Sequence, residues 1–401
     1  MYLDLMREGH DVRIYVERRD KFALAGLIVP VADWRAELPW VGRDGIVLVE
    51  PSGLGALQDG LRQDGYRVIG SSAYGDRLEL DRGFGQQALH DAGLPIADSI
   101  ALPSPAAARA WLREHPGRYA MKADSNRHTT FVGEHAAGAD LDFVLGGLEG
   151  GGVLLQRRLE GVEIGVGGYF DGRDFLRPVN LDFEHKRFFP GDMGEMTGEM
   201  GTLAAFEGAE KLFDATLGRF APQLRAAGHV GYVNLNMIVN AEGAWPLEFT
   251  CRFGNPGFAV LAALQADGWG DLLARMAGDG GTFRTHAGWS VAIVLTVPPF
   301  PATRDVAPTE DPPVMFHVPP DDPVHHHYID MRAADGTLFV HRRSGHVMIV
   351  TGIGASIPEA QQAARARARN VIVPEIRWRQ DIGERARHTD IGLLRGWGWL
   401  A

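Results

Sequence analysis

Short apolar runs alternate with a helical stretch along the first 75 residues. The segments DVRIYVE (11–17), GIVLVE (45–50) and YRVIG (66–70) have the pattern of strands, and 56–65 has that of a helix. This alternation predicts an α/β layer with a doubly wound parallel sheet. Such layers usually open with a strand and a glycine turn, whereas MYLDLMREGH resembles a helix that ends at Gly9. We therefore expect the first strand to be missing, either through true truncation or through a start codon placed too late.

The pattern changes after residue 75. A helix is predicted over 76–93, and two strand and hairpin segments, RYAMKADSN and VLLQRRLEGVEIGVGGYFDG, follow further on. The glycine-rich stretch FFPGDMGEMTGEMG (188–201) has neither helical nor strand periodicity and is predicted to be a long functional loop. A helix over about 207–227 precedes the strands GYVNLNMIVN and AWPLEFTCRF, which the turn AEG joins.

The last third of the chain combines strands with one long helix. SVAIVLTV, TLFVHR and HVMIVTGIG have the pattern of strands, and PEAQQAARARARNVIV has that of a helix. We expect three domains: an N-terminal α/β domain (1–75), a central domain (76–288) with a subdomain at about 98–180, and a C-terminal α+β domain (289–401).

Composition narrows the class of protein. The 51 glycines and 23 prolines predict many turns, while 45% hydrophobic residues argue against disorder. The net charge of -11 disfavours nonspecific binding to nucleic acid or to an anionic membrane. No apolar run is long enough for a membrane helix, and Cys251 is the single cysteine. We expect a cytoplasmic monomer or homodimer that acts on small molecules.

The strand pair at 231–253 is the most informative segment for chemistry. A tight turn would point Asn236 and Glu248 the same way, with Thr250 and Arg252 further along the face of Glu248. Oxygen ligands from facing strands suit a Mg²⁺ ion that bridges nucleotide phosphates. An arginine at Arg252 could donate two hydrogen bonds to a phosphoryl group. A half-buried hairpin with a solvated polar face is the alternative.

The motif LEFTCRFG (247–254) resembles LEFNCRFGDPE, the metal-binding strand of the phosphoribosylamine–glycine ligase family of ATP-grasp enzymes. Further segments match in the family's order, over roughly residues 45–395. They are LELDRGFGQQAL, LPIADS, YAMKAD, VLLQRRLEGVEIGV, EHKRFFPGDMGEMTGEMG, SGHVMIVTGIGASIPEAQQ and RQDIGERA. The resemblance implies an ATP-grasp fold with a truncated N-terminal domain, and an ATP-dependent carboxylate–amine ligase of purine biosynthesis that works through an acyl phosphate.

The same resemblance implies a role for individual residues, with ATP and Mg²⁺, or Mn²⁺ in its place, as cofactors. The implied nucleotide-binding residues are Arg82, Lys122, Gln156, Leu159 and Glu163. The implied metal ligands are Glu248, Asn236 and Thr250, and Lys186 and Arg187 would join Arg252 as catalytic charges near the transferred phosphoryl. The implied substrate residues are Asp192, Thr197, Glu199 and Asn255.

The chain departs from the family mainly at the flap and on the acceptor side. The family's flap GLAAGKGV is replaced by SNRHTTFVG, where Arg127 or His128 could substitute for amide contacts. FGDPE becomes FGNPG, TGGMG becomes TGEMG with Glu199 in place of a glycine, and GGRV becomes SGHV with His346 in place of arginine. These differences predict that the ATP half is retained, and they leave two substrate sets open: phosphoribosylamine with glycine, or an altered acid or amine.

Two other functions are compatible with the sequence. A degenerate ATP-grasp protein would bind a nucleotide or metabolite without ligating anything, because Gln156, Thr250 and the flap depart from the family. A zinc protein would use His325, His326 and His327, but adjacent side chains alternate in direction and seldom converge on one ion. We therefore expect an ordinary polar loop at the three histidines.

Overall fold

The computed structural model describes residues 1–17, 24–123, 130–301, 311–341 and 344–400. Arg127 and His128, the residues proposed to replace the flap glycines, lie outside these ranges. Within them, none of the helices combines the length and the apolar character that crossing a membrane requires.

The N-terminal part contains a small parallel sheet. Its elements are α1 (Tyr2–Arg7), α2 (Leu38–Val41), β1 (Ile46–Leu48), α3 (Gly55–Gln63), β2 (Arg67–Ile69), α4 (Ala73–Leu80) and α5 (Arg82–Asp91). β1 and β2 pair in parallel around α3, as the alternation predicts. The strand predicted at 11–17 is wrong, because that segment makes only an isolated bridge between Ile14 and Pro30. Ser72 and Asp81 cap α4 and α5 by accepting backbone N–H bonds.

The next part forms a four-stranded antiparallel sheet. Its elements are β3 (Ser99–Leu102), α6 (Pro105–Glu114), β4 (Tyr119–Ala123), β5 (Thr130–Val132), α7 (Ala139–Gly146) and β6 (Val153–Arg157). The strand order is β3-β6-β4-β5, and both helices pack on it through a separate apolar cluster that includes Leu112, Met121 and Leu141. This arrangement places Lys122 on β4 and Gln156 on the adjoining β6.

Most of the remaining strands form one large sheet. The elements up to residue 274 are β7 (Val162–Phe170), β8 (Asn180–Glu184), β9 (Arg187–Phe189), β10 (Met193–Met196), β11 (Gly201–Ala205), α8 (Glu210–Ala215), α9 (Ala221–Ala226), β12 (Gly231–Val239), β13 (Ala244–Thr250), α10 (Gly257–Ala262) and α11 (Trp269–Ala274). The stretch predicted as a loop at 188–201 contains most of the β9–β10 hairpin, so that prediction is wrong. The helix predicted at 207–227 is interrupted by a 3-10 turn at Leu217–Phe220.

The C-terminal part adds strands to the same sheet. Its elements are β14 (Trp289–Thr296), β15 (Pro313–Phe316), β16 (His326–Tyr328), β17 (Met331–Ala334), β18 (Thr337–Val340), β19 (His346–Gly354), α12 (Ile357–Asn370), β20 (Val371–Ile372) and α13 (Ile391–Gly396). The eight-stranded sheet has the order β13-β12-β7-β8-β11-β14-β19-β16, and β17-β18-β15-β20 form a smaller one. Hydrogen bonding therefore continues across the expected domain boundary at 288/289.

The two faces of the large sheet differ in chemistry because strand side chains alternate between faces. One face packs into the main apolar core, through residues such as Ile164, Phe183 and Leu235. The opposite face carries polar residues in register, with Glu248 opposite Asn236 and Thr250 opposite Asn234. It continues across β7 and β8 with Glu163, Asn180, Asp182 and Glu184. This polar face holds the candidate site.

Candidate active site

Lys186 lies among three carboxylates on the polar face of the sheet. Its Nζ is 3.0 Å from Glu163 Oε1, 3.0 Å from Glu184 Oε2 and 3.4 Å from Glu248 Oε1. The carboxylates come from β7, β8 and β13, which the sheet order brings together although they are distant in sequence. Glu163, predicted to bind the nucleotide, and Glu248, predicted to bind the metal, are therefore both in direct contact with Lys186, the predicted catalytic lysine.

Mutual attraction sets the protonation of this cluster. Burial alone would lower the pKa of Lys186, but Glu184, Glu163 and Glu248 together raise it well above its ordinary value. Burial opposes ionisation of Glu163, yet Lys186 lowers the pKa of that carboxyl on balance. Lys186 also lowers the pKa of Glu248. Lys186, Glu163 and Glu248 are therefore charged at neutral pH.

Asn236 completes the predicted metal site from β12. Its Nδ2 donates to Glu163 Oε1 at 3.0 Å and to Glu184 Oε2 at 3.1 Å, while its buried Oδ1 has no hydrogen-bond partner among the described residues. An orphaned amide oxygen opposite Glu248 is suited to a hard cation. Thr250 lies one register step away, opposite Asn234.

The described residues include no set of three His, Cys, Asp or Glu side chains that could hold a metal ion. Glu248, Asn236 and Thr250 would supply at most three oxygen ligands. That small number fits Mg²⁺, which keeps waters and substrate phosphates in its coordination shell. The donor set therefore fits the predicted Mg²⁺ when nucleotide phosphates supply further ligands.

The lysine of β4 faces the same cluster. Burial and the nearby Arg82 lower the pKa of Lys122 from 10.5 to about 8, whereas Glu248 raises it. Arg82 is the exposed first residue of α5. Lys122, Arg82 and Lys186 thus bring three predicted cations into one electrostatic environment next to Glu248.

The predicted adenine-hinge residues lie at the C-terminal end of β6, an inner strand of the four-stranded sheet. Gln156 is buried on β6, opposite Ser99 on β3 and Ala120 on β4. Leu159 follows in the connection to β7 and is partly buried. The connection ends just before Glu163, so the hinge and the charged cluster are joined by a few residues.

A second polar layer lies behind the Lys186 cluster. Asp182 Oδ2 accepts from Asn234 Nδ2 at 2.7 Å and from Asn180 Nδ2 at 3.1 Å. Gly165 leaves the room for it, because a Cβ there would lie 2.3 Å from Asp182 Oδ1. Burial, followed by the charge of Glu184, raises the pKa of Asp182 to about 7. The layer was not predicted, although the alternation of polar residues in NLDFE (180–184) would have shown it.

Arg252 leaves the strand face that was predicted for it. Its Nε lies 3.2 Å from Glu79 Oε1 on α4, and a terminal nitrogen donates to the carbonyl of Phe253. The backbone N–H of Cys251 donates to the same Glu79 at 2.8 Å, and the Cys251 thiol is buried. Asn255 is exposed on the loop between β13 and α10. Among the described residues, neither Arg252 nor Asn255 hydrogen-bonds to a member of the Lys186 cluster.

The β9–β10 hairpin is tied to the C-terminal segment. Asp192, in its turn, accepts from Arg379 at 2.9 Å and from Arg385 at 2.9 Å. Arg379 also forms a two-pronged pair with Asp381, and its side chain is 1% exposed. Arg187 donates to the carbonyl of Gly194 across the hairpin. Asp192 and Arg187 thus bond to protein groups, and their contacts to substrate and phosphoryl stay predictions.

The last predicted substrate residues lie beside Lys186. Thr197 donates both its N–H and its hydroxyl to the Lys186 carbonyl, each at 2.8 Å. Two residues on, Glu199 is partly buried and accepts a hydrogen bond from the Thr202 hydroxyl. Burial and then Glu184 raise the pKa of Glu199 well above its ordinary value. Glu199 therefore belongs to the same electrostatic environment.

The three adjacent histidines point to different partners. His325 Nδ1 lies 2.8 Å from the Thr351 hydroxyl, and His326 Nδ1 lies 2.9 Å from the carbonyl of Asp322. His327 is packed so that burial lowers its pKa to about 4. The segment ends a 3-10 turn and forms β16, so the expected loop is wrong. Nothing in this arrangement supports the zinc alternative.

Comparison with known proteins identifies the domain. Residues 81–258 match the model of the phosphoribosylglycinamide synthetase, ATP-grasp (A) domain. This chain has the ATP-grasp fold. The solved phosphoribosylamine–glycine ligase of Thermotoga maritima has the same fold, with a TM-score of 0.66, 20% identity and coverage of 88% of this chain and 89% of that one.

Curated relatives extend the similarity of this ATP-grasp protein beyond the matched domain. The phosphoribosylamine–glycine ligase of Methanocorpusculum labreanum is 26% identical over 352 residues, covering 82% of this chain and 78% of the relative. That of Streptomyces coelicolor is 27% identical over 384 residues, covering 89% and 88%. The comparisons confirm the predicted resemblance, the ATP-grasp fold and the ligase class. The residue roles stay predictions.

Sequence reasoning missed four groups of this ATP-grasp site. Glu184 was quoted within the EHKR motif but given no role, and Asp182 and Asn234 were not singled out. Glu79, which holds Arg252, lies on a helix 173 residues away in sequence. Only the polar alternation of β8 and β12 carried a signal for these groups; a partner on a distant helix leaves none.

Proposed function

We propose that the chain is an ATP-dependent carboxylate–amine ligase that works through an acyl phosphate. The observation that carries the proposal is the position of Lys186 among Glu163, Glu184 and Glu248, beside Asn236. An ammonium group held by several carboxylates has a fixed place and a fixed charge. Phosphoryl transfer depends mainly on such positioning and on compensation of charge.

The nucleotide would lie between the four-stranded sheet and the polar face. Lys122 and Arg82 would bind its phosphates, Gln156 and Leu159 its base, and Glu163 its ribose. Glu248, Asn236 and Thr250 would hold Mg²⁺, which supplies positive charge to the phosphates when it is bound. Because burial lowers the pKa of Lys122 to about 8, an incoming polyphosphate would restore its full charge.

The proposed reaction has two steps. A carboxylate oxygen of the acid attacks the terminal phosphorus of ATP, and ADP leaves with the bridging oxygen. The amine nitrogen then attacks the acyl carbon, the bond from that carbon to the phosphate oxygen breaks, and inorganic phosphate leaves. Lys186 would stabilise the charge on the transferred group in both steps, and the described side chains need to supply no nucleophile.

The substrates would be small molecules, and glycine with phosphoribosylamine is the reference pair that the relatives' name suggests. We place the enzyme in the cytoplasm and in purine biosynthesis or a pathway derived from it. The chain's departures from the family, at Glu199, Asn255 and His346, lie on the acceptor side. Glycine and phosphoribosylamine are therefore the first pair to test and other acids and amines the next.

The test measures ADP release and amide formation with ATP, Mg²⁺ and a panel of acids and amines. We expect turnover in the wild type and a loss of about 100-fold or more in Glu248→Gln, since one charged metal ligand is removed. The matched control is Glu242→Gln, an exposed glutamate in the turn of the same hairpin, which should retain full activity. Tight ATP binding without ADP release from any pair would instead favour the nucleotide-binding protein.

A further inference from the structure

Glu199 introduces a carboxyl group where the related ligases have a glycine. Hydrogen bonds from Thr197 to the Lys186 carbonyl hold the segment that carries Glu199 along the catalytic lysine. The Thr202 hydroxyl donates to Glu199, and Thr202 lies opposite Glu184 in the sheet. The extra carboxyl group is thus fixed next to Glu184, on the polar face that carries the proposed phosphoryl-transfer residues.

Asp182 supplies a second carboxyl group behind Glu199. It is 5% exposed, and its Oδ2 is satisfied by two asparagine amides. Its Oδ1 is buried without a hydrogen-bond partner among the described residues. A buried carboxylate oxygen without a donor is unfavourable, so it requires either a proton or an N–H group from a ligand.

The unpartnered Oδ1 of Asn236, on β12, is already assigned to the proposed metal site. The unsatisfied oxygen left on the acceptor side is therefore Asp182 Oδ1 on β8, beside the added carboxyl group of Glu199. Such a surface favours a ligand group that donates hydrogen bonds and carries positive charge, such as an ammonium, which has three N–H donors.

Basicity distinguishes the amines that this surface could accept. A glycosylamine nitrogen is weakly basic, because the neighbouring ring oxygen withdraws electron density, so it reaches the acyl phosphate largely unprotonated. A primary alkylamine resembles a lysine side chain, whose pKa is about 10.4, and is protonated at neutral pH. It must lose a proton before it can attack. Only the second kind of amine gains from an added carboxylate.

We propose that Glu199, backed by Glu184 and Asp182, is the subsite for the acceptor nitrogen and selects a protonated primary alkylamine. This inference rests on the proposed ligase function and names its amine class. Glu199 as carboxylate binds the ammonium and takes one proton from it, and the N–H electron pair stays on nitrogen. That nitrogen forms the bond to the acyl carbon as the carbon–oxygen bond to phosphate breaks, and the second proton that the nitrogen loses leaves with the phosphate. The raised pKa of Glu199 suits it to accept that proton.

The experiment compares two classes of acceptor, weakly basic amines and alkylamines. It uses the full-length protein with ATP, Mg²⁺ and a panel of acids that begins with glycine. Hydroxylamine is largely unprotonated at neutral pH and traps the acyl phosphate as a hydroxamate without a proton acceptor. Methylamine and ethanolamine are the alkylamine probes, and phosphoribosylamine is the weakly basic one. The variants are Glu199→Gln and Glu199→Gly, the second of which restores the residue of the family. Glu195→Gln, at an exposed position on β10, is the control.

We expect both Glu199 variants to lose about 100-fold in alkylamide formation and to keep hydroxamate formation within about twofold. Glu195→Gln should change neither. Equal losses with both acceptors would show a merely structural role and overturn the proposal. So would a wild type that ligates phosphoribosylamine but no alkylamine. Absence of hydroxamate and of ADP release with every acid in the wild type would refute the ligase function itself, and circular dichroism of each variant excludes misfolding.

Discussion

Around Lys186 three carboxylates share one ammonium, whereas around Asp192 two guanidinium groups share one carboxylate. The second cluster has further partners, since Arg379 also pairs with Asp381 and Arg385 with Asp390. Three carboxylates and two guanidinium groups bring this cluster within one charge of neutrality. In the Lys186 cluster three carboxylates contact one ammonium, and an amide oxygen has no partner among the described residues, so the cluster offers ligands to a bound cation.

The difference separates a binding site from a structural clamp. Both clusters join residues that are distant in sequence, and both contain residues first predicted from one family motif. The deficit of positive charge in direct contact is larger around Lys186, which favours a bound cation there. We therefore assign Lys186, Glu163 and Glu248 to the proposed reaction. Asp192 holds the hairpin in place.

Replacing Lys186 by methionine should have the largest effect on stability. The variant leaves Glu163, Glu184 and Glu248 without their shared partner. The free energy of unfolding at pH 7 should fall by about 2 to 3 kcal/mol, less than for a fully buried pair because the cluster is partly exposed. Lys186 lowers the pKa of Glu163 and Glu248, so its stabilisation is present above the unfolded carboxyl pKa of about 4 and is lost below it. The deficit should therefore close on acidification.

Urea denaturation of wild type and variant at pH 7 and at pH 4 measures this deficit. Lys211→Met is the matched control, because that lysine is exposed to solvent and donates only to the Gly398 carbonyl. It should cost less than about 1 kcal/mol. A Lys186→Met protein as stable as wild type at pH 7 would contradict the view that the carboxylates depend on this ammonium. Partial recovery of the stability of Lys186→Met on adding Mg²⁺ would show that another cation can replace the missing ammonium.

Replacing Lys122 by methionine should affect stability in the opposite direction. Burial, then Arg82, lowers the pKa of Lys122 to about 8. At pH 7 and without nucleotide, this partly buried ammonium therefore lowers the free energy of unfolding. Its removal should raise the free energy of unfolding by about 1 kcal/mol at pH 7. Wild-type stability should rise between pH 8 and the ordinary lysine pKa of 10.5 as the folded state loses this proton first. The difference between the two proteins should therefore shrink at pH 9.5.

The same substitution should lower the affinity for ATP, and calorimetry with ATP and Mg²⁺ measures that affinity. Lys122→Met should weaken binding about tenfold or more, and wild-type binding should weaken as pH rises through 8 because the free lysine is then neutral. Lys122→Arg should retain most of the affinity. A variant that is less stable than wild type at pH 7 and binds ATP equally well would place Lys122 outside the nucleotide site.

The parts of this site that were predictable are those set by local register. The turn AEG and the alternation on either side of it were enough to pair Asn236 with Glu248, and the structure confirms that pair. Contacts between distant segments were not predictable, because a strand pattern does not specify its neighbours in a mixed sheet. The pairing of Asp192 with Arg385 spans 193 residues. The β9–β10 hairpin was not predicted because its two glycines, both at positive φ, interrupt the alternation that marks a strand.

The smallest effect is expected from Asp192→Asn, which tests the clamp side of the comparison. Asparagine tolerates the left-handed backbone of this position, where φ is 55°, so the substitution removes charge without adding strain. Stability should fall by about 0.5 to 1 kcal/mol, since Asp192 and Arg385 are 41% and 51% exposed and Arg379 keeps Asp381. Asp335→Asn, at φ 50° in another hairpin turn, is the matched control and should leave the stability unchanged.

ATP affinity and the Michaelis constants should stay at wild-type values in both variants. A selective rise in the Michaelis constant of one substrate in Asp192→Asn would instead return Asp192 to the binding site. The stability loss should vanish at high salt, because the pair is partly solvated and its attraction is screened.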